Sequence, residues 1–457
     1  MEKLFQLKAH GTNVRTEMIA GLTTFISMVY ILAVNPSMLA EAGMDPGAVF
    51  TATAISAALA TLCMAFFTNY PIALASGMGL NAYFTYSVCL PLAEAGITDP
   101  WTIALTAVLA EGIIFILLSL FKFRETLVNR VPANLKLGIT VGIGLFITLV
   151  GLEGAGITVE DASTLVNMGD VTSPQFALAL VGLLIMAVLH HYRVPGFILW
   201  GILATWLLGM GAQLMGWYQV DPAQGVYSLF PDFSNYHFLP AAPLLFQFDF
   251  SYVAGHLMDF AIVVFSLLFV DLFDTVGALI GIADRGNLLD KKGDLPKAGR
   301  ALLADAVGTV VGACLGTSTV TSYAESGAGV AQGGRTGLTS VVVAVLFIIA
   351  LFFSPIFLAI PGFATAPALI FVGLMMMESV KKMDFTGDIA DAIGGFVAIM
   401  MMPFTYSIAN GIMFGIITWV ILKLCMGKGR EIHPVMWVSF GLFVLRILTL
   451  ALQAAGF

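Results

Sequence analysis

The sequence predicts an all-α polytopic membrane protein of fourteen transmembrane segments, arranged as two inverted repeats of seven. Short extended strands are expected to replace helix in segments three and ten. Three observations predict this fold. Of the 457 residues, 59% are hydrophobic and 11% charged, with a mean hydropathy of +0.95. That leaves too few polar side chains to cover a soluble domain of this size. Apolar stretches of roughly 17–25 residues, the length that crosses a bilayer as a helix, recur from end to end. Basic residues also cluster in alternate connecting loops, as orientation in a membrane requires.

The segments fall, in order, near 17–37, 48–67, 70–90, 101–121, 136–155, 174–192 and 196–216 in the first half. In the second they fall near 253–282, 300–315, 317–332, 338–355, 363–379, 388–402 and 407–426. Lys3, Lys8 and Arg15 precede the first, and Lys122, Arg124, Arg130 and Lys136 follow the fourth. Arg193 follows the sixth, and Arg285, Lys291, Lys292, Lys297 and Arg300 the eighth. Arg335 follows the tenth, Lys381 and Lys382 the twelfth, and Lys423, Lys428 and Arg430 close the fourteenth. The opposite loops, 38–47, 91–100, 156–173 and 217–252, contain no Lys or Arg. The N-terminal residues 1–16 are therefore expected in the cytoplasm. Arg446 breaks the alternation, so the last apolar stretch, 435–455, is expected to be an interfacial or peripheral helix. Cys63, Cys89, Cys314 and Cys425 lie in or beside apolar segments, without metal or disulfide spacing, and read as small buried packing residues.

Seven is an odd number, so the second half enters the membrane upside down relative to the first. Such repeats place their site at the midplane, where helices are interrupted. One interruption stands at the matching ordinal position of each half: Pro71-Ile-Ala-Leu-Ala-Ser-Gly-Met-Gly-Leu-Asn81 and Gly316-Thr-Ser-Thr-Val-Thr-Ser322. The second is poor helix and good strand. Open backbone at membrane depth survives only where protein or a cavity satisfies it. The two breaks are expected to pair as strands, each leading into a half-helix whose exposed N–H groups favour electron-rich ligand atoms.

Intramembrane acids mark transport or proton pathways. Glu325 lies in the polar string 322–329, just after the second break, and Asp271 and Asp274 lie three apart in the eighth segment, on one helix face. No Lys or Arg in those segments neutralises them, so the missing partner is a proton, a sodium ion or a hydrogen-bond donor. Asn81 both donates and accepts and suits the edge of a heterocycle. Glu111, Asp259, Asp305 and Asp391 each read as isolated and structural, and His256 as an interfacial histidine. Tyr83, Phe84, Phe273 and Tyr323 stand near the breaks, where a flat ring could stack. No phosphate loop, metal set or nucleophile–base pair occurs, so neither ATP-driven transport nor catalysis is expected.

The chain resembles the nucleobase–cation symporter family that includes xanthine and uracil permeases, and within it the hypoxanthine/guanine/adenine branch. The resemblance is carried by His10-Gly-Thr-Asn-Val-Arg-Thr-Glu17, Thr23 to Ile31 with Val34-Asn-Pro36, Gly77 to Phe84, Asp271-Leu-Phe-Asp-Thr275, Leu295 to Leu302, Gly316 to Gly329 and Met402 to Ile408. It implies a core domain from 17–121 and 253–355, a gate domain from 136–216 and 363–426, and a further helix at 435–455. It places Asp274 and Glu325 at the base-holding positions, Asn81 at the matching position of segment three, and Asp271 as a second acid. Gly79, Thr275, Tyr323 and Ser326, from the same strings, complete the candidate substrate set. Proton coupling is assigned to Asp271, Asp274 and Glu325. The uracil branch carries a histidine near the segment-eight acid, but Ala278 stands there, so no histidine-centred proton route is implied.

The expected protein is a proton symporter importing adenine, guanine or hypoxanthine across the cytoplasmic (inner) membrane. It needs no metal or other cofactor, is not an enzyme, takes no nucleic acid, and is implied by the resemblance to be a homodimer. The alternative is a xanthine, uracil or small-anion transporter of the same fold, possibly sodium-coupled. A purely anionic substrate would want a basic or dipolar site, and a channel a continuous polar path, and the three acids clustered at two breaks fit neither.

Overall fold

The computed structural model describes residues 2–120, 131–161, 163–221, 226–231, 240–286, 288 and 295–454. Lys122, Arg124, Arg130, Lys291, Lys292, the side chains of Arg285 and Phe273, and residue 455 lie outside the described residues. Eleven described helices are long and apolar enough to cross a membrane.

Three first-half segments start where Asn13, Asp45 and Ser173 supply a side-chain cap. Asn13 accepts the Thr16 N–H (3.0 Å) and opens α1, Val14–Met28. Ser27 bonds back to the Thr23 carbonyl (2.8 Å), which favours a bend. The segment resumes as α2, Ile31–Glu41, with Tyr30 in the break. Asp45 caps α3, Pro46–Thr68, with proline in the first turn where its missing N–H costs nothing. β1, Leu74–Ser76, leads into α4, Met78–Ala82, which continues as a π-helical stretch, Tyr83–Cys89. Then come α5 (Pro100–Leu120) and α6 (Ala133–Gly154). The loop after α6 folds as an antiparallel hairpin of β2 (Thr158–Asp161) and β3 (Leu165–Met168), whose polar sequence shows no strand alternation. Ser163 and Thr164 donate to Asp161, whose carboxyl they hold below the usual range. α7 (Pro174–His191) and α8 (Phe197–Leu214) end the half.

The second half repeats the order: α9 (Leu257–Gly286), α10 (Ala298–Leu315), β4 (Val320–Ser322) leading into α11 (Ser326–Ala331), then α12 (Gly337–Ala350). α13 (Gly362–Met377), α14 (Ile389–Phe404) and α15 (Ile408–Cys425) follow. The chain ends in α16, Pro434–Ala454. Fourteen segments in two sets of seven, with strands in the third and tenth, match the sequence expectation.

Helix α3 packs on α10 and α12, α10 on α5, α12 on α1, and α9 on α5 and α11. Separately, α6 packs against α13 and α14, α14 against α15, and α7 against α8 and α13. The second set is sealed by small residues, as helices without a hydrophobic driving force between them require. A Cβ on Gly138 would stand 2.5 Å from the Gly395 carbonyl, and one on Gly373 would stand 2.5 Å from the Gly144 carbonyl.

Two expectations are revised. The last helix is not peripheral: Met436, Ser439 and Phe443 are buried, and α16 lies along α15 and α9. Its 21 residues extend about 31 Å at 1.5 Å per residue. Arg446 forms an ion pair with Asp259, which explains a cation in an apolar helix and shows that Asp259 is not isolated. Asp391 is not isolated either. It accepts the Trp419 indole N–H at 2.6 Å and lies 3.5 Å from the Lys423 ammonium, which also binds Asp388 at 2.8 Å. Of the cysteines, all free, Cys89 is buried and Cys425 is exposed. His256 stacks on Tyr252 at 4.2 Å, as an interfacial ring would.

Gly138→Leu should disrupt the α6–α14 seam, where no flexible side chain can give way. The expected loss is about 2 kcal/mol or more, read as a lower thermal midpoint of the purified protein in detergent. A matched substitution at Gly154, where a Cβ meets nothing within 4 Å, should leave the midpoint near that of the unmodified chain.

Candidate functional site

The two breaks meet. β1 and β4 pair antiparallel, Leu74 opposite Ser322, Ala75 opposite Thr321 and Ser76 opposite Val320. The ladder extends through Gly77 N–H to the Thr319 carbonyl (3.1 Å) and Tyr323 N–H to the Ala73 carbonyl (3.0 Å). Outer edges are closed by threonines at matching places in the two halves. Thr61 of α3 accepts from the Leu74 N–H (2.9 Å) and lies 3.1 Å from its carbonyl. Thr309 of α10 donates to the Val320 carbonyl (3.0 Å). Gly77 is required here, because a Cβ would come within 2.5 Å of Thr321 Cγ2.

Beyond the end of β4, Glu325 stands at the start of α11, and Tyr30 donates to its Oε1 at 2.7 Å. Tyr30 was not singled out by sequence, although it lies in a motif that carries the resemblance. The bend between α1 and α2 is what brings it to the centre. Asp274 of α9 lies close enough to Glu325 for the two charges to act on one another, and both act on Tyr30 and Tyr323. Tyr323 donates to the Ser76 carbonyl at 2.6 Å, so its ring is fixed by the opposite strand. Ser326 accepts the Ala73 N–H at 3.0 Å and is a strand clamp. Among the described residues, neither Asp274 nor Glu325 has an ion-pair partner.

Asp271 goes elsewhere. Although three residues from Asp274, it is fully buried in a second polar cluster under β4. The Thr275 hydroxyl lies 3.2 Å from Asp271 Oδ1, 3.0 Å from Asp305 Oδ2 and 2.6 Å from the Thr321 hydroxyl. Ser322 donates to Asp305 Oδ1 at 3.1 Å. Sequence reading took Asp305 for an isolated acid. Its partners come from α9 and β4, distant in sequence, so no local pattern announced it. Glu111 is likewise not isolated, accepting the Thr319 hydroxyl at 2.8 Å.

On the segment-three side, Ser318 donates to Asn81 Oδ1. Asn35, which the sequence offered only as part of a string carrying the resemblance, gathers Thr53 (2.8 Å), Thr317 (2.9 Å) and Ser76 (3.3 Å) into a buried knot behind β1. Gly79 is a packing position as well, since a Cβ there would meet Ile143 of α6 at 2.8 Å. Tyr83 and Phe84 are buried.

A fourteen-segment inverted repeat with paired strands, beside two acids, Asp274 and Glu325, that have no ion-pair partner among the described residues, defines a membrane transporter rather than an enzyme. The described part of the fold is similar to the transmembrane domain of a cyanobacterial bicarbonate transporter, BicA (TM-score 0.65, 16% identity, covering 88% of this chain and 97% of that one). It is also similar to murine Slc26a9 in the inward-facing state (TM-score 0.64, 12% identity, covering 90% and 68%). At such identities the likeness is of fold alone. Residues 15–414 match the family model described as the Permease family. A putative permease of Methanocaldococcus jannaschii is 46% identical over 99% of both chains. The guanine/hypoxanthine permease PbuO of Bacillus subtilis is 45% identical over 98% of this chain and 100% of its own length. The adenine permease AdeQ of Escherichia coli is 40% identical over 98% and 96%. The chain belongs to this permease family, the nucleobase–cation symporters that include xanthine and uracil permeases.

Tyr30→Phe removes the hydroxyl that holds Glu325 and little else. Transport of the substrate should fall about tenfold, the worth of a hydrogen bond to a charged group, with unchanged protein in the membrane by immunoblot. Unchanged transport would show that Glu325 needs no such support.

Proposed function

We propose that this chain imports neutral purine bases, with one proton carried in the same direction, across the cytoplasmic membrane, with its N-terminus inside. The observation that carries the reading is the pair of carboxylates, Asp274 and Glu325, without cation partners among the described residues, beside the end of the strand pair. Acceptors so placed call for a neutral ligand rich in N–H groups, which a purine supplies and a small anion does not. The bases after which the relatives are named, guanine, hypoxanthine and adenine, agree with that chemistry. The basic loops on one side support the orientation.

In this reading Asp274 and Glu325 accept ring N–H groups, and Asn81 binds from the other half. The proton is carried by the Asp271–Thr275–Asp305 cluster. Two carboxylates buried about one hydroxyl resist both being ionised, so one of them holds the proton more readily. Thr321 ties the cluster to β4 and so to the strand from which Glu325 follows. The two packing sets act as core (17–121 and 253–355) and gate (136–216 and 363–426), and a neutralised site lets the core move against the gate. Two copies form the working unit.

Labelled hypoxanthine uptake, in cells lacking their own purine permeases, tests this. Uptake should collapse with a protonophore, persist without sodium, and be blocked by unlabelled purines but not by uracil. Sodium dependence with protonophore resistance would replace the proton by sodium, and absence of uptake of any base would sink the purine reading. Asp305→Asn should still bind hypoxanthine within about threefold but lose accumulation against a gradient, since its effect is on coupling and not on ligand contact. Equal loss of binding and accumulation would place Asp305 in the binding site instead.

A further inference from the structure

Asn81 is left incomplete by the protein. It is fully buried. Its backbone N–H goes to the Gly77 carbonyl (2.8 Å) and its Oδ1 accepts the Ser318 hydroxyl, but its Nδ2 has no partner among the described residues. A buried amide donor is costly to leave unpaired, and such a group at a binding site awaits a ligand or water.

Ser318 decides which end of the amide is left over. It too is fully buried, and among the described residues its hydroxyl has one recorded side-chain partner, Asn81 Oδ1. If the amide turned over, Nδ2 would donate to Ser318. The serine proton would then lose its acceptor, and the asparagine oxygen would be stranded as well. The recorded orientation strands only the –NH2 group. That group is a donor without acceptor capacity, so it calls for an acceptor on the ligand.

In the purine reading above, the base meets acceptors from Asp274 and Glu325 and, from the segment-three half-helix, the Asn81 donor. A 6-oxopurine such as hypoxanthine or guanine carries the complement along one edge, a ring N–H beside an exocyclic oxygen. Adenine carries the reverse, a bare ring nitrogen beside an amino group. We propose that Ser318 is a positioning residue that holds the Asn81 amide with its –NH2 toward the base, and that this makes the site favour 6-oxopurines over adenine. The inference rests on the purine reading above and adds to it the substrate preference and the residue that sets it.

The test is the ratio of labelled hypoxanthine to labelled adenine uptake at matched low concentrations, in cells lacking their own purine permeases, with membrane abundance measured. The unmodified chain should prefer hypoxanthine about tenfold, the effect of one or two mismatched hydrogen bonds. Ser318→Ala, which frees the amide to turn, should move the ratio toward adenine by about fivefold. Ser318→Thr, which keeps the hydroxyl, should stay within about twofold of the unmodified ratio. A merely structural role for Ser318 would lower both uptakes together and leave the ratio where it was. Should Ser318→Ala fail to reach the membrane, Asn81→Asp, which removes the donor itself, must shift the ratio in the same direction. A preference for adenine in the unmodified chain, or a ratio unmoved by the variant that reaches the membrane, overturns the proposal. Absence of uptake of either base by the unmodified chain removes the purine reading and this inference with it.

Discussion

The antiparallel pairing of Leu74–Ser76 with Val320–Ser322 is the interaction on which the remaining structure depends. Extended backbone in a membrane has unsatisfied N–H and C=O groups on both edges. Each strand solves half of the problem for the other. Thr61 and Thr309, equivalent in the inverted repeat, cover the outer edges. With the backbone satisfied, two helices can stop and restart in mid-membrane. That is what sets Asn81 and Glu325, 244 residues apart in sequence, each in a short half-helix leading out of the one strand pair.

The same strand separates two sets of acids. Asp274 and Glu325 sit beside the end of β4, while Asp271 and Asp305 lie beneath it around Thr275. Thr321 on β4 touches Thr275. A change of charge beneath the strand is therefore felt by the backbone that leads into Glu325. The packing has a matching asymmetry. Within the second helix set the seams are backbone on backbone, through Gly138, Gly144, Gly373 and Gly395. Where Tyr86 of the first set meets Phe146 and Tyr406 of the second, the contacts are ring edges, at 6.3 and 5.9 Å. Ring edges slide at lower cost than interlocked glycines, which is the packing that the proposed movement of one set against the other would need.

Much of this was legible in the sequence. Hydropathy and the basic loops placed all fourteen segments to within a few residues, because a bilayer constrains length and charge more strictly than water does. Both strands were readable from Thr/Ser/Val content and from the Pro71 break, and their pairing from the need to satisfy open backbone. Less was legible where the determining contact is long-range. Asp305 looked isolated because Thr275 and Ser322 reach it only in the folded chain. Tyr30 reaches Glu325 across 295 positions, by way of a helix bend. Arg446 looked misplaced until Asp259, some 190 residues away, proved to be its partner. The spacing of Asp271 and Asp274 pointed to one shared site, and three residues of helix do leave the two only about 60° apart, but Thr275 brings Asp271 together with Asp305 and Thr321, which are distant in sequence.

The most direct test of the central claim is an experimental structure of the protein with hypoxanthine bound in lipid nanodiscs. The account predicts the base beside the end of the β1–β4 pair, with ring N–H groups on Asp274 and Glu325 and the Asn81 amide within hydrogen-bonding distance. A base seated instead in the cavity of about 270 Å³ beside the Asp259–Arg446 pair, lined by Tyr83, Phe260 and Asn410, would contradict it.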